Sequence, residues 1–310
     1  MKVGFIGLGT MGGGMSLNIR RGGFDMVVHD VRQEAAARQI ELGCEWADSP
    51  RAVAAACEVV FTSLPGPREF EAVAGGANGL LAGMAPGSVW FDLTTNSPTV
   101  VRRLHAQFAE KGVSLLDAPV SGGPRGANSG QLAIWVGGDE AMFSKHKNVL
   151  DAFSDQAVYI GPVGSGTVAK LVHNMAGYAI QAAMAEVFTM GVKAGVDPLA
   201  IWAAVRQGAL GRARVFDRLA NDFLPGKFDP PSFALRLAHK DVTLATELGR
   251  EMSVPMRVCN LVREEMTEAL NRGWSERDSR VAMLLQEERA GVEIKVPPEE
   301  IQAIFERDGR

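Results

Sequence analysis

The sequence predicts an α/β fold: a doubly wound, parallel sheet in the first half, then an all-α second half entered through one long helix. Three observations predict it. Short apolar runs alternate with helical patterns up to Pro162, a glycine-rich loop follows the first of those runs, and beyond Gly161-Pro162 only helical spacing continues.

The elements follow in order along the chain. Residues 3–6 form an apolar run that reads as a strand, and similar runs lie at 26–29, 59–63, 89–92, 114–117, 132–136 and 158–160. Between them, residues 11–21, 32–42, 50–56, 98–110 and 140–152 carry apolar positions at helical spacing. Strands interleaved with helices predict parallel pairing, because a parallel neighbour is reached through a crossover helix. From 166 to 195, Ala, Met, Val and Leu recur at helical spacing. That is about seven or eight turns at 3.6 residues per turn. A helix so apolar around its circumference is typical of one buried between other elements. Helical patterning runs on to Ala290, and residues 297–310 make a short charged amphipathic end.

Composition removes several classes of function. The chain has 310 residues, 46% hydrophobic and 22% charged, with a formal net charge of -4. Two domains are expected at this length. The acidic balance offers no field for a nucleic-acid backbone, so no nucleic-acid partner is expected, while a few local cations suffice for a small anion. Three scattered cysteines, Cys44, Cys57 and Cys259, suggest neither a disulfide framework nor a zinc site. The five histidines show no ligand spacing, so no metal is expected. With no targeting segment or membrane-length apolar stretch in the sequence, the expected setting is cytoplasmic, away from membranes.

The first chemical signal is Gly7-Leu8-Gly9-Thr10-Met11-Gly12, between a strand-like run and a helical pattern, with Asp30 closing the next strand. Gly7 permits the tight turn, Gly9 lets backbone approach a pyrophosphate, and Gly12 lets the helix pack closely on the strand. The helix N-terminus adds unpaired N–H groups and the positive end of its dipole. Asp30 fits the adenine-ribose hydroxyls and repels a 2′-phosphate, which favours NAD, whereas Arg32 two positions on tolerates NADP. Residues 1–162 are therefore read as a dinucleotide-binding domain, 163–294 as a helical domain for substrate and oligomerisation, and 295–310 as a peripheral segment.

The second signal, Asp117-Ala118-Pro119-Val120-Ser121-Gly122-Gly123, ends a predicted strand at the sheet edge where open α/β folds hold ligands. Ser121, Gly122 and Gly123 can offer a hydroxyl and backbone N–H groups to a carboxylate; the same glycines also suit a plain turn. The third is Gly164-Ser165-Gly166 with Lys170 and Asn174, spaced four apart on one helix face. A lysine among Val168, Ala169, Leu171 and Val172 is costly to bury unless paired or used, or unless it snorkels to solvent.

With these motifs and with Lys240-Asp241 and Leu244-Ala245, the chain resembles the β-hydroxyacid dehydrogenase family over about residues 1–290. That family includes 3-hydroxyisobutyrate dehydrogenases and tartronate semialdehyde reductases. The resemblance implies a Rossmann-type domain, a long interdomain helix and a helical C-terminal domain. It implies that Lys170 is the catalytic acid/base, that Ser121, Gly122 and Gly123 anchor the substrate carboxylate, and that Asn174 orients the substrate. It also implies that Leu64 and Pro65 line the cofactor, that Thr95 and Asn96 flank the nicotinamide ribose, and that Lys240 stands near the nicotinamide. The expected reaction is hydride transfer between NAD and a small 3-hydroxy acid. Reduction of a small semialdehyde or glyoxylate with NADPH is the alternative, and an imine reductase or a non-catalytic scaffold stand further off. Two departures concern the substrate: Pro124-Arg125 follows the anchor, and Gly211-Arg212-Ala213-Arg214 occupies the region bordering the substrate tail. Arg125 or Arg212 is expected either to bind a second anionic group or to pair with acids such as Asp217. The largely apolar helical part suggests a homodimer or homotetramer.

Overall fold

A computed structural model describes residues 1–212, 216–251, 253–291 and 293–307. Two compact units divide the chain, Met1–Ala176 and Gly177–Arg310.

The first unit is built on a nine-stranded sheet. Its strands are β1 (Lys2–Ile6), β2 (Asp25–His29), β3 (Glu45–Trp46), β4 (Val59–Thr62), β5 (Val89–Asp92), β6 (Ser114–Asp117), β7 (Val120–Ser121), β8 (Leu132–Gly137) and β9 (Ser154–Gly161). The order is β3-β2-β1-β4-β5-β6-β8-β7, with β9 against β8. Pairing from β3 through to β6 is parallel. Apart from β3, those strands read as apolar runs because both faces are covered. Val3, Phe5, Val59, Phe61, Val89 and Phe91 enter one core, while Ile6, Val60 and Trp90 enter the other. Aligned register turns this alternation into aromatic ladders. Phe5, Phe61 and Phe91 stack with ring centroids 6.3 and 5.1 Å apart. On the opposite face Trp90 lies 4.7 Å from Phe70 and 4.9 Å from Phe108.

The expectation of parallel pairing throughout is corrected at the far side of the sheet, where β8 runs antiparallel to β6 and β7. There β7 and the helix Gly123–Ser129 follow β6 directly and turn the chain at one end of the sheet. The chain comes back as a hairpin would, and the parallel relation resumes from β8 to β9 across the helix Glu140–Leu150. The two-residue strands β3 and β7, and the helices Pro67–Ala74, Leu80–Gly83 and Gly123–Ser129, are additions to the sequence reading. The pattern over 32–42 forms a 3-10 turn, Gln33–Ala36, followed by the short helix Ala37–Glu41.

The 29-residue helix Ser165–Lys193 runs from the first unit into the second. The second unit adds helices Pro198–Gln207, Ala209–Arg212, Leu235–Glu251, Arg257–Asn271 and Leu284–Ala290. Phe223, Phe228, Leu235, Ala269, Val281 and Leu285 form its core. Glu186 on the long helix accepts the Val258 and Cys259 N–H groups at 2.9 and 3.1 Å, which satisfies the start of Arg257–Asn271. The amphipathic end forms the helix Pro298–Arg307. Among the described residues no helix is long and apolar enough to cross a membrane.

Candidate active site

The glycine loop joins β1 to the helix Gly12–Arg21, and its three glycines meet three different constraints. Gly7 has φ +91° and donates its N–H to the His29 carbonyl at 2.9 Å. A Cβ on it would lie 2.3 Å from the Ser63 carbonyl oxygen, so only glycine passes between the two strands. A Cβ on Gly12 would fall 1.9 Å from the Gly7 carbonyl oxygen, which ties the helix to the loop at backbone distance. Gly9, by contrast, faces open space with no atom within 4 Å of a built Cβ. The structure thus leaves a bare backbone where a pyrophosphate is expected, at a helix N-terminus, and these residues fit a dinucleotide.

Asp30 does more than end β2. Its Oδ2 accepts the Leu8 N–H at 2.7 Å and its Oδ1 the Arg32 N–H at 2.9 Å, so one carboxylate shapes the glycine loop and the following turn together. A cleft of about 630 Å³ opens beside it. Gly7, Gly9, Thr10, Met11, Gly12, Asp30, Leu64 and Pro65 all line this cleft, and so does Arg32. Thr95 is exposed on the turn after β5 and is not among the lining residues. Lys240 lies on the helix Leu235–Glu251, and its side chain falls outside the described residues.

Under the turns after β4 and β5 sits a buried polar cluster. Asp92, fully buried, accepts the Thr62 hydroxyl at 2.8 Å, the Thr94 N–H at 3.2 Å and the Asn96 side-chain amide at 3.0 Å. Burial pushes its carboxyl up to about 6, against the pull of these donors. The Thr94 hydroxyl in turn accepts the Leu64 N–H at 3.1 Å.

The second motif is divided by the structure between two tasks. Asp117, also fully buried, accepts the Gly164 and Thr167 N–H groups, each at 2.6 Å, and so caps the long helix from a strand far away in sequence. Burial raises its carboxyl pKa, with those two bonds acting in the other direction. Gly166 brings this helix start against the sheet, since a Cβ there would lie 2.2 Å from the Trp135 carbonyl oxygen. Ser121 ends β7, and Gly122 and Gly123 turn away from it at φ +133° and +62°. Gly123 has nothing within 4 Å of a built Cβ, so its backbone is open to a ligand.

Lys170, His173 and Asn174 follow on the long helix at spacings that share a face. His173 Nε2 stands 3.5 Å from Ser121 Oγ, Nδ1 stands 3.1 Å from Asn174 Oδ1, and the ring lies 5.2 Å from that of Trp135. Ser121, His173 and Asn174 therefore form one cluster, with Lys170 one turn earlier. The Lys170 ammonium is half-buried, desolvation lowers its pKa, and no carboxylate pairs with it among the described residues. Arg125 is exposed on the helix Gly123–Ser129, and Arg212 is exposed at the end of Ala209–Arg212, while Arg214 lies outside the described residues. Among the described residues no group of three or more His, Cys, Asp or Glu could hold a metal ion.

Two family models match the chain. Residues 2–161 match the NAD binding domain of 6-phosphogluconate dehydrogenase, and residues 164–285 match the NAD-binding model of NADP-dependent 3-hydroxyisobutyrate dehydrogenase. The 2-(hydroxymethyl)glutarate dehydrogenase of Eubacterium barkeri is 32% identical over 294 residues, which cover 95% of this chain and 97% of that protein. Mouse mitochondrial 3-hydroxyisobutyrate dehydrogenase is 32% identical over 295 residues, 92% of this chain and 87% of the mouse protein. The structure of 3-hydroxyisobutyrate dehydrogenase from Mycobacterium tuberculosis with L-serine superposes with a TM-score of 0.64 at 27% identity, covering 92% of this chain and 98% of the other.

Proposed function

The chain belongs to the β-hydroxyacid dehydrogenase family, and from that premise we propose that it oxidises a small 3-hydroxy acid with NAD, using Lys170 as general base and, in reverse, general acid. The class, an NAD(P)-dependent hydroxyacid dehydrogenase, is common to its relatives. The observation that carries the finer reading is the half-buried Lys170, without a counter-charge among the described residues, beside Asn174 on one helix face. A lysine held that way is easier to deprotonate, and a neutral amine accepts the proton that leaves an alcohol during oxidation.

When bound, the nicotinamide would supply the hydride chemistry at the carbinol carbon, as acceptor in oxidation and as donor in reduction. Ser121 and the open Gly122-Gly123 backbone hold the substrate carboxylate, and Asn174 orients the hydroxyl toward Lys170. Lys170 Nζ takes the hydroxyl proton as the carbon–oxygen double bond forms, leaving an ammonium that donates the proton back when an aldehyde is reduced. Asp30 supports NAD. Arg32 in the same cleft supports some use of NADP, and with it the NADPH-dependent reduction of a semialdehyde or glyoxylate.

The substrate of the Eubacterium barkeri relative, as its name states, is a glutarate and carries two carboxylates. That favours a dianionic substrate here as well, with Arg125 or Arg212 binding the distal group. The test is initial-rate NADH formation over a panel of mono- and dianionic 3-hydroxy acids, with NADP in parallel. Lys170→Ala should lower turnover by about 10²- to 10⁴-fold. Arg212→Ala should raise KM for dianions alone, and equal losses on both substrate types would remove the dianion reading.

A further inference from the structure

A second cavity, of about 390 Å³, lies wholly within the second unit, between the end of the helix Leu235–Glu251 and the start of Arg257–Asn271. Arg250 and Arg263 both line it, with the hydroxyls of Thr246 and Ser253 and the amide of Asn260, and no acidic residue lines it among the described residues. Two like charges at one hollow repel unless something negative joins them. Other arginines of this unit have carboxylates: Arg236 holds Glu276, Arg277 holds Asp229, Arg280 holds Asp222 and Asp278, and Arg289 holds Glu265. Arg250 and Arg263 hold none among the described residues. Glu264 and Glu268 line a neighbouring hollow that shares Arg263, and Glu268 is already taken by Arg272 and Arg289.

The cavity wall is built rather than incidental. Thr246 is buried, gives its proton to the Thr243 carbonyl at 2.9 Å and accepts Arg263 Nη1 at 3.4 Å, which steadies one guanidinium at the cavity. Ser253 has φ +56°, and every other positive φ among the described residues belongs to a glycine. Glycine would close the helix there without steric cost, so the strain buys a hydroxyl at the cavity. The start of Arg257–Asn271 is not itself the attraction, since Glu186 already accepts the Val258 and Cys259 N–H groups. Val254, Pro255 and Met256 complete the wall with apolar surface.

We propose that this cavity binds a small phosphate ester, its phosphoryl group held by Arg250, Arg263 and the Ser253 hydroxyl. Two guanidiniums from separate helices match a dianion with three terminal oxygens, whereas a single carboxylate is satisfied by one guanidinium fork. The volume exceeds that of a bare ion and falls in the range of small-molecule sites, and the apolar wall suits a few carbons beyond the phosphate. The inference is independent of the part given to Lys170, since every residue it uses belongs to the second unit.

The experiment is calorimetric titration with glycerol phosphate, inorganic phosphate and succinate. Ionic strength is matched with NaCl, and saturating dinucleotide keeps the glycine loop filled. Glycerol phosphate should bind the wild type with a Kd of about 1 mM or tighter, a few kcal/mol on the affinity scale. Inorganic phosphate should bind more weakly, because it leaves the apolar wall uncovered, and succinate more weakly than either. Arg250→Gln and Arg263→Gln should each weaken the ester about tenfold, the scale of one lost charge-assisted bond. Arg250 is exposed, so its variant carries the test if Arg263→Gln does not fold. Ser253→Gly removes the hydroxyl and relieves the backbone, so it should weaken the ester roughly fivefold while raising the unfolding temperature, a pairing that loss of structure cannot produce. Absence of saturable binding to the wild type, tighter binding of succinate than of either phosphate, or unchanged affinity in any of the three variants would overturn the proposal.

Discussion

At the scale of single residues, two side chains give sharp tests because each carries one charge with one consequence. Desolvation lowers the Lys170 pKa from its ordinary 10.5. Oxidation needs the neutral amine, so its kcat/KM should fall as pH drops below that lowered pKa, while reduction should fall as pH rises above it. Both profiles should share one apparent pKa below 10.5, and a limb that persists in Lys170→Ala would assign it to another group. Asp30 combines two roles, since it shapes the loop through the Leu8 and Arg32 N–H groups and presents charge to the cleft. Asp30→Asn keeps an acceptor and removes the charge, so it should move the kcat/KM ratio of NADP to NAD upward by about tenfold, one unit of 1.4 kcal/mol. An unchanged ratio, measured with both cofactors under one set of conditions, would mean that Arg32 and the loop decide the preference.

At the scale of elements, the long helix is the part whose placement is most open to test. Its first turn is held by a carboxylate from β6 and by the close approach of Gly166, and Lys170 follows one turn later. Asp117→Ala leaves two N–H groups unpaired in a buried position. It should lower stability by about 2–4 kcal/mol, as two lost buried bonds would, and reduce kcat with it, because the helix start sets Lys170. Urea unfolding and steady-state rates check this together, and a stable protein with full kcat would exclude the bracing role. Legibility in the sequence divides along the same line. The strands β1, β2, β4, β5 and β6 could be read because burial on both faces leaves continuous apolar runs, and the glycine loop because its turn imposes residue types at fixed spacing. The two-residue β3 and β7 could not, since so short a run has no period. The reversal at β8 was hidden because an apolar run carries no mark of direction. Asp117 was visible as part of a motif, but its partners at Gly164 and Thr167 come together only in the folded chain, and the same holds for Asp92 with Thr62. Lys170 was legible for the opposite reason: a lone charge in an apolar helical stretch needs no partner to be noticed.

At the scale of the whole molecule, several large apolar side chains on the helices stand exposed among the described residues. Met184, Val187 and Phe188 on the long helix are 53%, 42% and 37% exposed, and Leu261 and Val262 on Arg257–Asn271 are 57% and 40% exposed. Met184 and Phe188 are spaced four apart and Val187 three from Met184, so they share one helix face. Contiguous apolar area of this kind marks a surface meant to be covered, and in homo-oligomers the cover is usually a second copy of the same patch. The protein is therefore expected to be a homodimer or homotetramer in solution. Light scattering behind size exclusion should give a mass of at least two chains at micromolar concentration. Met184→Glu with Phe188→Glu places two charges where the apolar face would be buried, and desolvating them costs more than the lost contacts alone. That variant should elute with the mass of one chain, or dissociate at concentrations where the wild type does not. A monomeric wild type would overturn the expectation outright. An oligomer that survives the double substitution would move the interface off this face of the long helix and leave Leu261 and Val262 as the next surface to charge.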